Sequence, residues 1–434
     1  MTVIAVDDTD SRTDGMCTTY LAAHIAADLV EHGGRVDRLL LVRLNPAVRH
    51  KTRGNAALAI HTDVSAGDAV DIAAARLTEL AIDSDDRTSP GLVVAPGDPT
   101  TVGDAVVDFA RRALREKLNR AEALALADDA GYRHRGWKAD GCAVRGRGRI
   151  GALAAVGAWN AFDEWTAERI AYREFDQCGT AREVDEKAVF RAAEAAYPTV
   201  WDTVDRATGE TVCVPNAPGP ILYGIRGDEA AAVERVADEI AAGDTTEHVD
   251  RWATFVTNQG TDQHLAGGRI GSLREGRGYR TDGVVSGGPE TRRGGHVFFR
   301  LREPQTDAAV DCVAFEPTKR FRDRVRSLRV GDELTACGEH SGGTIKLEKF
   351  AVRSLVRTER VTPTCPDCAR RMKSAGRNQG YRCRDCSTAA SDKVRHPIDR
   401  ALEIGWYEVP PSARRHIAKP LVRGGFDAPT HPER

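Results

Sequence analysis

The chain of 434 residues has no apolar run of the roughly eighteen residues that a membrane-spanning helix needs. Its first residues also lack the basic and apolar regions of a secretory leader, so we expect a cytoplasmic protein. The formal net charge is only −2, which argues against a global positive field and confines any nucleic-acid surface to one part of the molecule. No Walker A sequence occurs, and therefore a nucleotide site would need a different phosphate-binding loop.

The composition is that of a globular protein with more than one core. Hydrophobic residues make up 41% of the chain and charged residues 29%, which are ordinary values for globular domains. About two to four domains are expected at this length. The ten cysteines of a cytoplasmic chain are more often thiols or metal ligands than disulfides.

The hydrophobic pattern divides the chain into segments of different character. Strands and helices alternate up to about residue 175, which indicates α/β layers. A shorter pattern from about 190 to 265 is typical of a ferredoxin-like α+β unit, and short strands around one helix from 275 to 356 resemble an OB-fold barrel. The predicted strands are 3–6, 39–44, 56–61, 92–94, 211–214, 221–225, 253–257, 297–299, 310–315, 333–338 and 344–350. The predicted helices are 20–30, 68–80, two within 102–131, one that begins at about 152, 188–196, 229–240 and 318–328.

An acidic loop and a Thr-Thr helix start follow the first predicted strand. Asp7, Asp8 and Asp10 come at the end of that strand. Thr18 and Thr19 come directly before the predicted helix 20–30, where a helix N-terminus is expected. Ligands bind beyond the carboxyl ends of strands in open α/β sheets, helix N-termini attract phosphate, and carboxylates beside them can hold Mg²⁺ for phosphoryl transfer. The alternative is a plain surface turn, because Asp and Thr also favour helix caps.

Four cysteines form the strongest local motif, Cys365-x2-Cys368-x14-Cys383-x2-Cys386. Two CxxC turns at this separation present four thiolates tetrahedrally, as a structural Zn²⁺ requires, and they leave no open position for chemistry. Two coincidental pairs in a reduced chain are the alternative.

The segment from Cys365 to the end of the chain combines an excess of Lys and Arg with interleaved aromatic residues. Such groups bind single-stranded or loop RNA by stacking and phosphate contacts, although a solvated charged face has the same composition. The aromatic candidates are Tyr381, Trp406 and Tyr407, and the cationic candidates are Arg370, Arg371, Lys373, Arg377, Arg382, Arg414, Arg415, Lys419 and Arg423.

Two further loops carry groups suited to phosphate. The loop 50–55 contains Lys51 and Arg53 at a strand boundary, and such cations stabilise transferring phosphoryl oxygens. The Gly/Arg loop 145–151 runs into a helix, so its glycines allow close backbone approach and its N–H groups can face an anion. Each loop alone is more often a simple turn, but together with the acids they favour a nucleotide-dependent phosphotransferase.

These segments are similar, in the same order, to the archaeal isoleucine-tRNA agmatinylcytidine synthetases, the TiaS family. The resemblance covers nearly the whole chain. It rests on residues 7–11 with 15–19, 43–46 with 51–55, 146–148 with 150–153, 222–227, 294–299, 314–319, the four cysteines and 407–416. The pair Ala5-Val6 and the region 100–135 depart from the family pattern.

The resemblance implies a multidomain fold of α/β and α+β type with four modules. They are an ATP-dependent kinase-like domain at 1–188, a ferredoxin-like domain at 189–270 that binds agmatine, an OB-fold β-barrel at 271–358, and a zinc ribbon with a C-terminal tRNA-binding tail at 359–434.

The resemblance also implies a reaction. Agmatine is joined to C2 of the wobble cytidine of an isoleucine tRNA with a CAU anticodon, after ATP phosphorylates the C2 oxygen and turns it into a leaving group. ATP, Mg²⁺ and a structural Zn²⁺ are the implied cofactors, and no protein partner is evident. Two other functions stay open: a non-enzymatic OB-fold and zinc-ribbon protein that binds single-stranded nucleic acid, and a small-molecule kinase.

The matching motifs imply roles for individual residues. Asp7, Asp8 and Asp10 are expected to orient the nucleophile or hold Mg²⁺, with Asp7 and Asp8 as the ligands, and Thr18 is expected to be autophosphorylated. The expected ATP contacts are Lys51, Arg53, Gly54, Asn55, Arg147 and Gly148. The candidates for agmatine are Asn216, Tyr223 and Ile225, for which an ordinary strand beside a Pro/Gly turn is the alternative.

Overall fold

Three structural units follow one another along the chain: a large sheet covered by helices, a five-stranded barrel and a small four-cysteine unit. The computed structural model describes residues 1–49, 51, 54–138 and 145–434. No helix within these ranges is long and apolar enough to cross a membrane.

The first unit is built on a nine-stranded sheet in the order β5-β4-β1-β3-β2-β9-β6-β8-β7. Its strands are β1 (Thr2–Asp7), β2 (Val36–Arg43), β3 (Ala56–Thr62), β4 (Gly91–Pro96), β5 (Arg133–Gly136), β6 (Thr166–Tyr172), β7 (Val200–Trp201), β8 (Ile221–Gly227) and β9 (Arg251–Thr257). Its helices are α1 (Thr18–Glu31), α2 (Ala66–Leu80), α3 (Asp104–Ala113), α4 (Arg120–Asp129), α5 (Arg149–Ala161), α6 (Glu186–Ala196) and α7 (Ala230–Ala241).

Helices cover both faces of this sheet, which explains why β1 is apolar at every position from Val3 to Val6. Val3 and Ala5 pack into a core with α3, α4 and α5. Ile4 and Val6 pack on the other face with α1 and α2. A strand that is buried on both sides has no polar face, and therefore it shows a continuous apolar run rather than alternation.

The two halves of the sheet are joined along β2 and β9, which pair in parallel. The other paired strands of the described sheet are antiparallel, so the alternation of strands and helices does not reflect a parallel α/β sheet here. Strand β6 precedes residue 188 and pairs with β8 and β9, which follow it. The sheet is thus continuous across residue 188, where the sequence suggests a domain boundary.

The second unit is a barrel that closes through the cycle β11-β12-β13-β15-β14. Its elements are β11 (Arg277–Thr291), β12 (Val297–Arg302), β13 (Ala309–Ala314), α8 (Arg320–Arg326), β14 (Glu333–Ser341) and β15 (Thr344–Ser354), and β10 (Leu265–Gly267) pairs with β11 at its edge. Phe321 of α8 and Phe350 of β15 are fully buried in its core, with ring centroids 5.5 Å apart. The sequence predicted a barrel of short strands with one helix, and the structure confirms both.

The third unit contains the cysteines and five short strands. They are β16 (Thr358–Val361), β17 (Lys373–Ser374), β18 (Tyr381–Arg382), β19 (Ala389–Ala390) and β20 (Val394–Pro397). The chain then returns to the barrel, where β21 (Gly405–Glu408) pairs with β15 and β22 (Thr430–His431) pairs with β21. We call residues 405–434 the return segment.

Most predicted elements are present within a few residues, and one predicted strand is wrong. Residues Thr211–Val214 form a turn in which the Val214 N–H lies 3.4 Å from the Thr211 carbonyl oxygen. Their β-branched side chains suit a strand, but three prolines follow before β8 and the segment folds over that strand, with the Gly224 N–H donating to the Cys213 carbonyl at 3.0 Å. The predicted strands do not include β5, β6, β7, β10, β11 or any of β16 to β22.

Candidate active site

A cavity of about 510 Å³ opens at the carboxyl end of β1, between the N-termini of α1 and α5. Its walls come from both halves of the sheet and from the return segment. The polar and charged residues on the walls include Asp7, Asp8, Asp10, Thr18, Arg43, Lys51, Asn55, Arg147, Glu168, Arg182, Arg226 and His416. The cavity therefore combines acids, cations and a hydroxyl from distant parts of the chain.

The acids of the predicted loop lie at the mouth of β1. Asp7 ends the strand, and its carboxylate oxygen Oδ1 accepts a hydrogen bond from the Asp8 N–H at 2.7 Å. Asp8 has a φ of +60°, a left-handed conformation that Asp and Asn adopt more readily than other residues with a side chain. Arg147 Nη2 donates to Asp8 Oδ2 at 2.6 Å. Two residues that the sequence assigned separately to metal and phosphate are thus in direct contact.

Burial makes ionisation of these carboxylates less favourable. It raises the pKa of Asp7 well above the ordinary value, and the charges of Asp8 and Asp10 add to the effect. Burial also raises the pKa of Asp8 to about 6, although Arg147 acts in the opposite direction. Neighbouring carboxylates with raised pKa values suit a site in which a bound cation compensates their charge.

Glycines bring the start of α5 against β1. A Cβ on Gly151 would lie 2.0 Å from Asp7 Oδ2, and one on Gly148 would lie 2.4 Å from the Asp7 carbonyl oxygen. Gly148 itself donates its N–H to the Ser89 carbonyl at 2.9 Å. Only residues without a side chain permit this approach, so the Gly-rich loop places the α5 N-terminus beside the acids.

Thr18 is the first residue of α1 and lies on the cavity wall. Its Oγ1 accepts a hydrogen bond from Thr9 Oγ1 at 3.1 Å, which fixes the hydroxyl at the helix start. Neither Cys17 before α1 nor Gly148 before α5 provides a side-chain cap within the described part of the chain. Two uncapped helix N-termini facing one cavity favour a bound anion such as phosphate.

The loop after β2 supplies the third group of predicted residues. Lys51 lines the cavity and donates through Nζ to the Pro46 carbonyl, and burial, with Arg415 nearby, lowers its pKa. Asn55 Nδ2 donates to the Asn45 carbonyl at 2.9 Å. Gly54 is also on the wall. The predicted Arg53 lies outside the described residues.

The three agmatine candidates are not among the residues on the cavity wall. Asn216 is exposed, between the wall residues Pro215 and Ala217. Tyr223 is fully buried, and its hydroxyl donates to the Ala237 carbonyl of α7 at 2.9 Å. Ile225 is buried in the same core against α6 and α7. Side chains alternate along a strand, so the cavity is faced by Gly224 and Arg226 instead.

Several charged or ionisable residues on the wall were not assigned a role from the sequence, among them Glu168, Arg226, Arg43 and His416. Glu168, 5% exposed, forms an ion pair with Arg226 at 3.5 Å and accepts a hydrogen bond from Gln259 Nε2. Arg43 Nε donates to Gln259 Oε1 at 3.1 Å. His416 reaches the wall from the return segment. Charged positions inside β6 and β8 break the apolar pattern of a strand, and this interruption was the available signal for Glu168 and Arg226.

The four cysteines form a second site, remote in sequence from the cavity. The sulfur atoms of Cys365, Cys368, Cys383 and Cys386 all lie within 4.8 Å of one another. Cys368 Sγ and Cys383 Sγ are 3.6 Å apart. Four thiol sulfurs gathered in this way fit one tetrahedral Zn²⁺, whose role would be to hold the short strands together.

The basic and aromatic surface predicted for the C-terminal region is only partly present. The ribbon cations are exposed, but Arg414 is buried and pairs with Asp202 and, at 2.9 Å, with Glu408. Trp406 and Tyr407 are 1% and 5% exposed in the barrel interface. The prediction that these three residues contact RNA was wrong, because β21 pairs with the barrel and buries Trp406 and Tyr407, whereas ion pairs with two acids hold Arg414 in the interior.

The regions that contain these sites match models of known protein families. Three family models match the chain: the TiaS TCKD domain over residues 3–75, the TiaS FLD domain over residues 146–264 and the TiaS C-terminal zinc ribbon domain over residues 362–402. The acids, the β6–β8 wall and the cysteines fall within the first, second and third match.

Relatives are similar over the whole chain. The isoleucine-tRNA 2-agmatinylcytidine synthetase TiaS of Haloquadratum walsbyi is 56% identical over 472 residues, with 100% of both chains covered. That of Methanosarcina mazei is 44% identical over 428 residues, with 97% of both covered.

Solved structures agree in fold. A complex of TiaS with isoleucine tRNA and ATP is 40% identical with a TM-score of 0.88, and the alignment covers 100% of this chain and 99% of the other. A complex of TiaS with isoleucine tRNA, AMPCPP and agmatine is 38% identical with a TM-score of 0.85 over 100% and 99% of the two chains.

Proposed function

The chain belongs to the TiaS family of isoleucine-tRNA 2-agmatinylcytidine synthetases, and from that premise we propose that it joins agmatine to C2 of the wobble cytidine of an isoleucine tRNA, with ATP as the phosphoryl donor. The observation that carries this proposal is the single cavity in which the acids after β1, Thr18, Arg147 and two helix N-termini meet the wall of β6 and β8. A tRNA-modifying enzyme meets its substrates in the cytoplasm, where we expect this one.

The chemistry requires activation of a poor leaving group. The cytosine C2 oxygen attacks a phosphoryl group of ATP, so that an O–P bond forms and a phosphoanhydride bond breaks. The amine of agmatine then attacks C2. The new C–N bond replaces the C–O bond, the oxygen leaves as part of phosphate, and the amine loses a proton. Substrate activation of this kind depends mainly on positioning and on groups that stabilise phosphoryl charge.

The walls offer those groups. Arg147 and Lys51 are cations on the cavity wall with the acid loop, and α5 begins at the same wall, where the positive end of its helix dipole favours an anion. We assign ATP phosphates to this part of the cavity, together with Gly54, Asn55 and the undescribed Arg53. Thr18 then lies at the end of the same site, where its hydroxyl could accept a phosphoryl group.

The donor set near β1 suits Mg²⁺. Carboxylate oxygens are the ligands that Mg²⁺ prefers, and Asp7 and Asp8 have raised pKa values. The main cause of the raised pKa values is burial, and a bound cation would offset the charge of the buried carboxylates, so these two residues, with Asp10, would hold the ion. Bound there, Mg²⁺ would neutralise phosphate charge next to the reacting oxygen.

Agmatine is a dication with an apolar stem, and one stretch of the wall has matching chemistry. It is formed by apolar side chains between Val212 and Ile221, close to the predicted Asn216. Three main-chain carbonyls of this stretch, at residues 217, 219 and 221, accept hydrogen bonds from the guanidinium of Arg182 at 2.6–2.9 Å. Carbonyls that already hold one guanidinium suit the guanidinium of agmatine, so we place the agmatine slot here and assign Tyr223 and Ile225 to the packing behind it.

Two variants distinguish residues that line the agmatine slot from residues that only pack behind it. Ala217→Trp is expected to fill the slot and raise KM for agmatine at least tenfold, while the KM for tRNA stays within twofold. Tyr223→Phe is expected to lower stability by about 1 kcal/mol, the usual contribution of one hydrogen bond, without changing KM for agmatine. An unchanged agmatine KM in Ala217→Trp would place the slot elsewhere.

The barrel and the ribbon are the parts suited to the tRNA. The closed five-stranded barrel with a helix between β13 and β14 has the arrangement of an OB-fold, which commonly binds oligonucleotides. The ribbon presents exposed cations, including Arg370 and Arg377, for phosphate contacts. We also assign the sheet unit the kinase-like and ferredoxin-like modules that the sequence suggests, joined along β2 and β9.

A purely nucleic-acid-binding protein is the weaker alternative. It has no need for buried acids with raised pKa values facing two helix N-termini in one cavity. Relatives of the same length are named synthetases, and a solved relative contains agmatine together with an ATP analogue.

Incorporation of labelled agmatine tests the proposal. Purified protein, tRNA with a CAU anticodon, ATP and Mg²⁺ are expected to give acid-precipitable label, and omission of ATP or tRNA is expected to abolish it. A tRNA with a different wobble base is the matched control. No incorporation over a full range of Mg²⁺ concentrations would exclude the synthetase function.

A further inference from the structure

His416 is a cavity residue that the chemistry above leaves without a role. It comes from the return segment, after the barrel and the ribbon, and its side chain is open to the cavity rather than packed in a core. Its ring makes no hydrogen bond to another described residue. The position of such a ring must therefore be set by its backbone and its neighbours in sequence.

The backbone around His416 is held firmly at the junction of the sheet unit and the barrel. The His416 carbonyl accepts from the Gly260 N–H at 2.7 Å. Just before it in sequence, Arg414 forms the buried ion pairs with Asp202 and Glu408. The adjacent Arg415 pairs at 2.6 Å with residue 339 on a barrel strand. The backbone at His416 is therefore ordered, and its ring is left available to a ligand in the cavity.

The electrostatic surroundings keep the imidazole neutral. Its enclosure in the protein, with the charges of Arg43 and Arg226, lowers the pKa of His416 well below the ordinary value. Arg226 is 9% exposed; its Nε forms the ion pair with Glu168 at 3.5 Å, and its terminal nitrogens make no hydrogen bond to another described residue. A neutral imidazole offers one N–H donor and one nitrogen acceptor, and the nearby guanidinium offers unused N–H donors.

The charges near His416 indicate which of the three substrates, agmatine, ATP or the cytosine base, binds beside it. Agmatine is a dication, and the wall near His416 carries the two cations Arg43 and Arg226 against the one carboxylate of Glu168, which already pairs with Arg226, so a dication is disfavoured there. A triphosphate attracts cations and would favour a protonated imidazole, which these arginines oppose. A neutral pyrimidine base with a ring carbonyl, a ring nitrogen and an amino group matches a neutral donor and acceptor beside guanidinium N–H groups.

We propose that His416, together with Arg226, binds the hydrogen-bonding edge of the extruded wobble cytosine and is a specificity-determining residue of the reaction. This inference rests on the proposed function. The assignment also connects the cavity with the barrel, because the return segment that carries His416 packs against the barrel that would hold the surrounding RNA. Arg226 N–H groups directed at the C2 oxygen would also stabilise charge there as the oxygen is phosphorylated.

Steady-state kinetics of His416→Ala and His416→Gln test the assignment. Loss of one substrate hydrogen bond is expected to lower kcat/KM for tRNA about tenfold in His416→Ala, with KM for ATP and agmatine within twofold of wild type. His416→Gln, which keeps a neutral donor and acceptor, is expected to recover part of that loss. The rate ratio between tRNAs with cytidine and uridine at the wobble position is expected to fall in the alanine variant.

His32→Gln is the matched control, because His32 is exposed at the end of α1, and all of its parameters are expected to stay unchanged. A raised KM for ATP or agmatine with tRNA kinetics unchanged would overturn the proposal in favour of another ligand. Unchanged kinetics for all three substrates in His416→Ala would also overturn it. Wild-type activity is measured in the same series, so that failure of the synthetase function itself is recognised separately.

Discussion

Replacing Asp8 by Asn is expected to make the protein more stable and inactive at the same time. The pKa of this carboxyl is raised from 3.8 to about 6, so ionising it in the folded protein costs about 2 pKa units, or about 3 kcal/mol at 1.36 kcal/mol per unit. Asn removes the charge and retains the shape, and it tolerates the left-handed φ of +60°. We expect a gain of about 1–3 kcal/mol at pH 7.5, which includes the loss of the bond to Arg147.

The stability gained in Asp8→Asn depends on pH. Between pH 6 and pH 4 the folded protein binds a proton at Asp8 that the unfolded chain does not, so the penalty is fully present above pH 6 and fades toward pH 4. The advantage of Asp8→Asn is therefore expected to shrink to about a third at pH 4.5.

Thermal unfolding in buffers without added divalent ions measures this advantage, at about 2–4 °C per kcal/mol. Agmatine incorporation and tRNA binding are followed in parallel, and we expect incorporation to be lost while tRNA binding remains. Asp14→Asn, at an exposed position in the same loop, is the matched control and is expected to change neither property. If Asp8→Asn is destabilised at pH 7.5, the carboxylate is a net stabilising group and the electrostatic reasoning fails.

Three further predictions concern other parts of the molecule. Gly151→Ala is expected to displace Asp7, since its Cβ would lie 2.0 Å from Oδ2, and to reduce incorporation more than a hundredfold, whereas Gly103→Ala, with no atom within 4 Å, is expected to be neutral in the same assay. His61 is fully buried with a pKa of about 4, so between pH 6.5 and pH 4.5 only the unfolded chain takes up its proton; the unfolding free energy of wild type relative to His61→Leu should fall by about 2–3 kcal/mol over this range, and a difference that does not change with pH would refute this. Cys368→Ser is expected to lose zinc and bind tRNA more weakly with the sheet unit still folded, which metal analysis, filter binding and near-UV dichroism together would check.

The sequence was most informative where local pattern and packing agree. The apolar run of β1 and the Thr-Thr start of α1 were recognisable because burial on both faces of a strand and the start of a helix leave local signals. The cysteine spacing was informative for the same reason. In each case the residues that define the feature are close together in sequence.

Strand β6 was missed because its interior contains Glu168 and Arg169, which break the apolar pattern expected of a central strand. The charge of Glu168 is tolerated there because Arg226 and Gln259 contact it across the sheet, and those partners are distant in sequence. The parallel pairing of β2 with β9, which joins the halves of the sheet, has no local signal either.

Trp406 and Tyr407 illustrate the opposite error. Aromatic residues among cations suit RNA stacking, but a strand that adds to a barrel buries the same side chains. The role of the neighbouring His416 could not be predicted from its sequence position, because the fold alone brings it to the cavity.

The fate of the cytosine C2 oxygen tests the central chemical claim most directly. A tRNA whose wobble cytidine carries a heavy-oxygen label at C2 is incubated with the protein, ATP, Mg²⁺ and agmatine, and the released phosphate is analysed by mass spectrometry. Activation by phosphorylation predicts one labelled oxygen in phosphate for each agmatine incorporated. Incorporation of agmatine with unlabelled phosphate would contradict it.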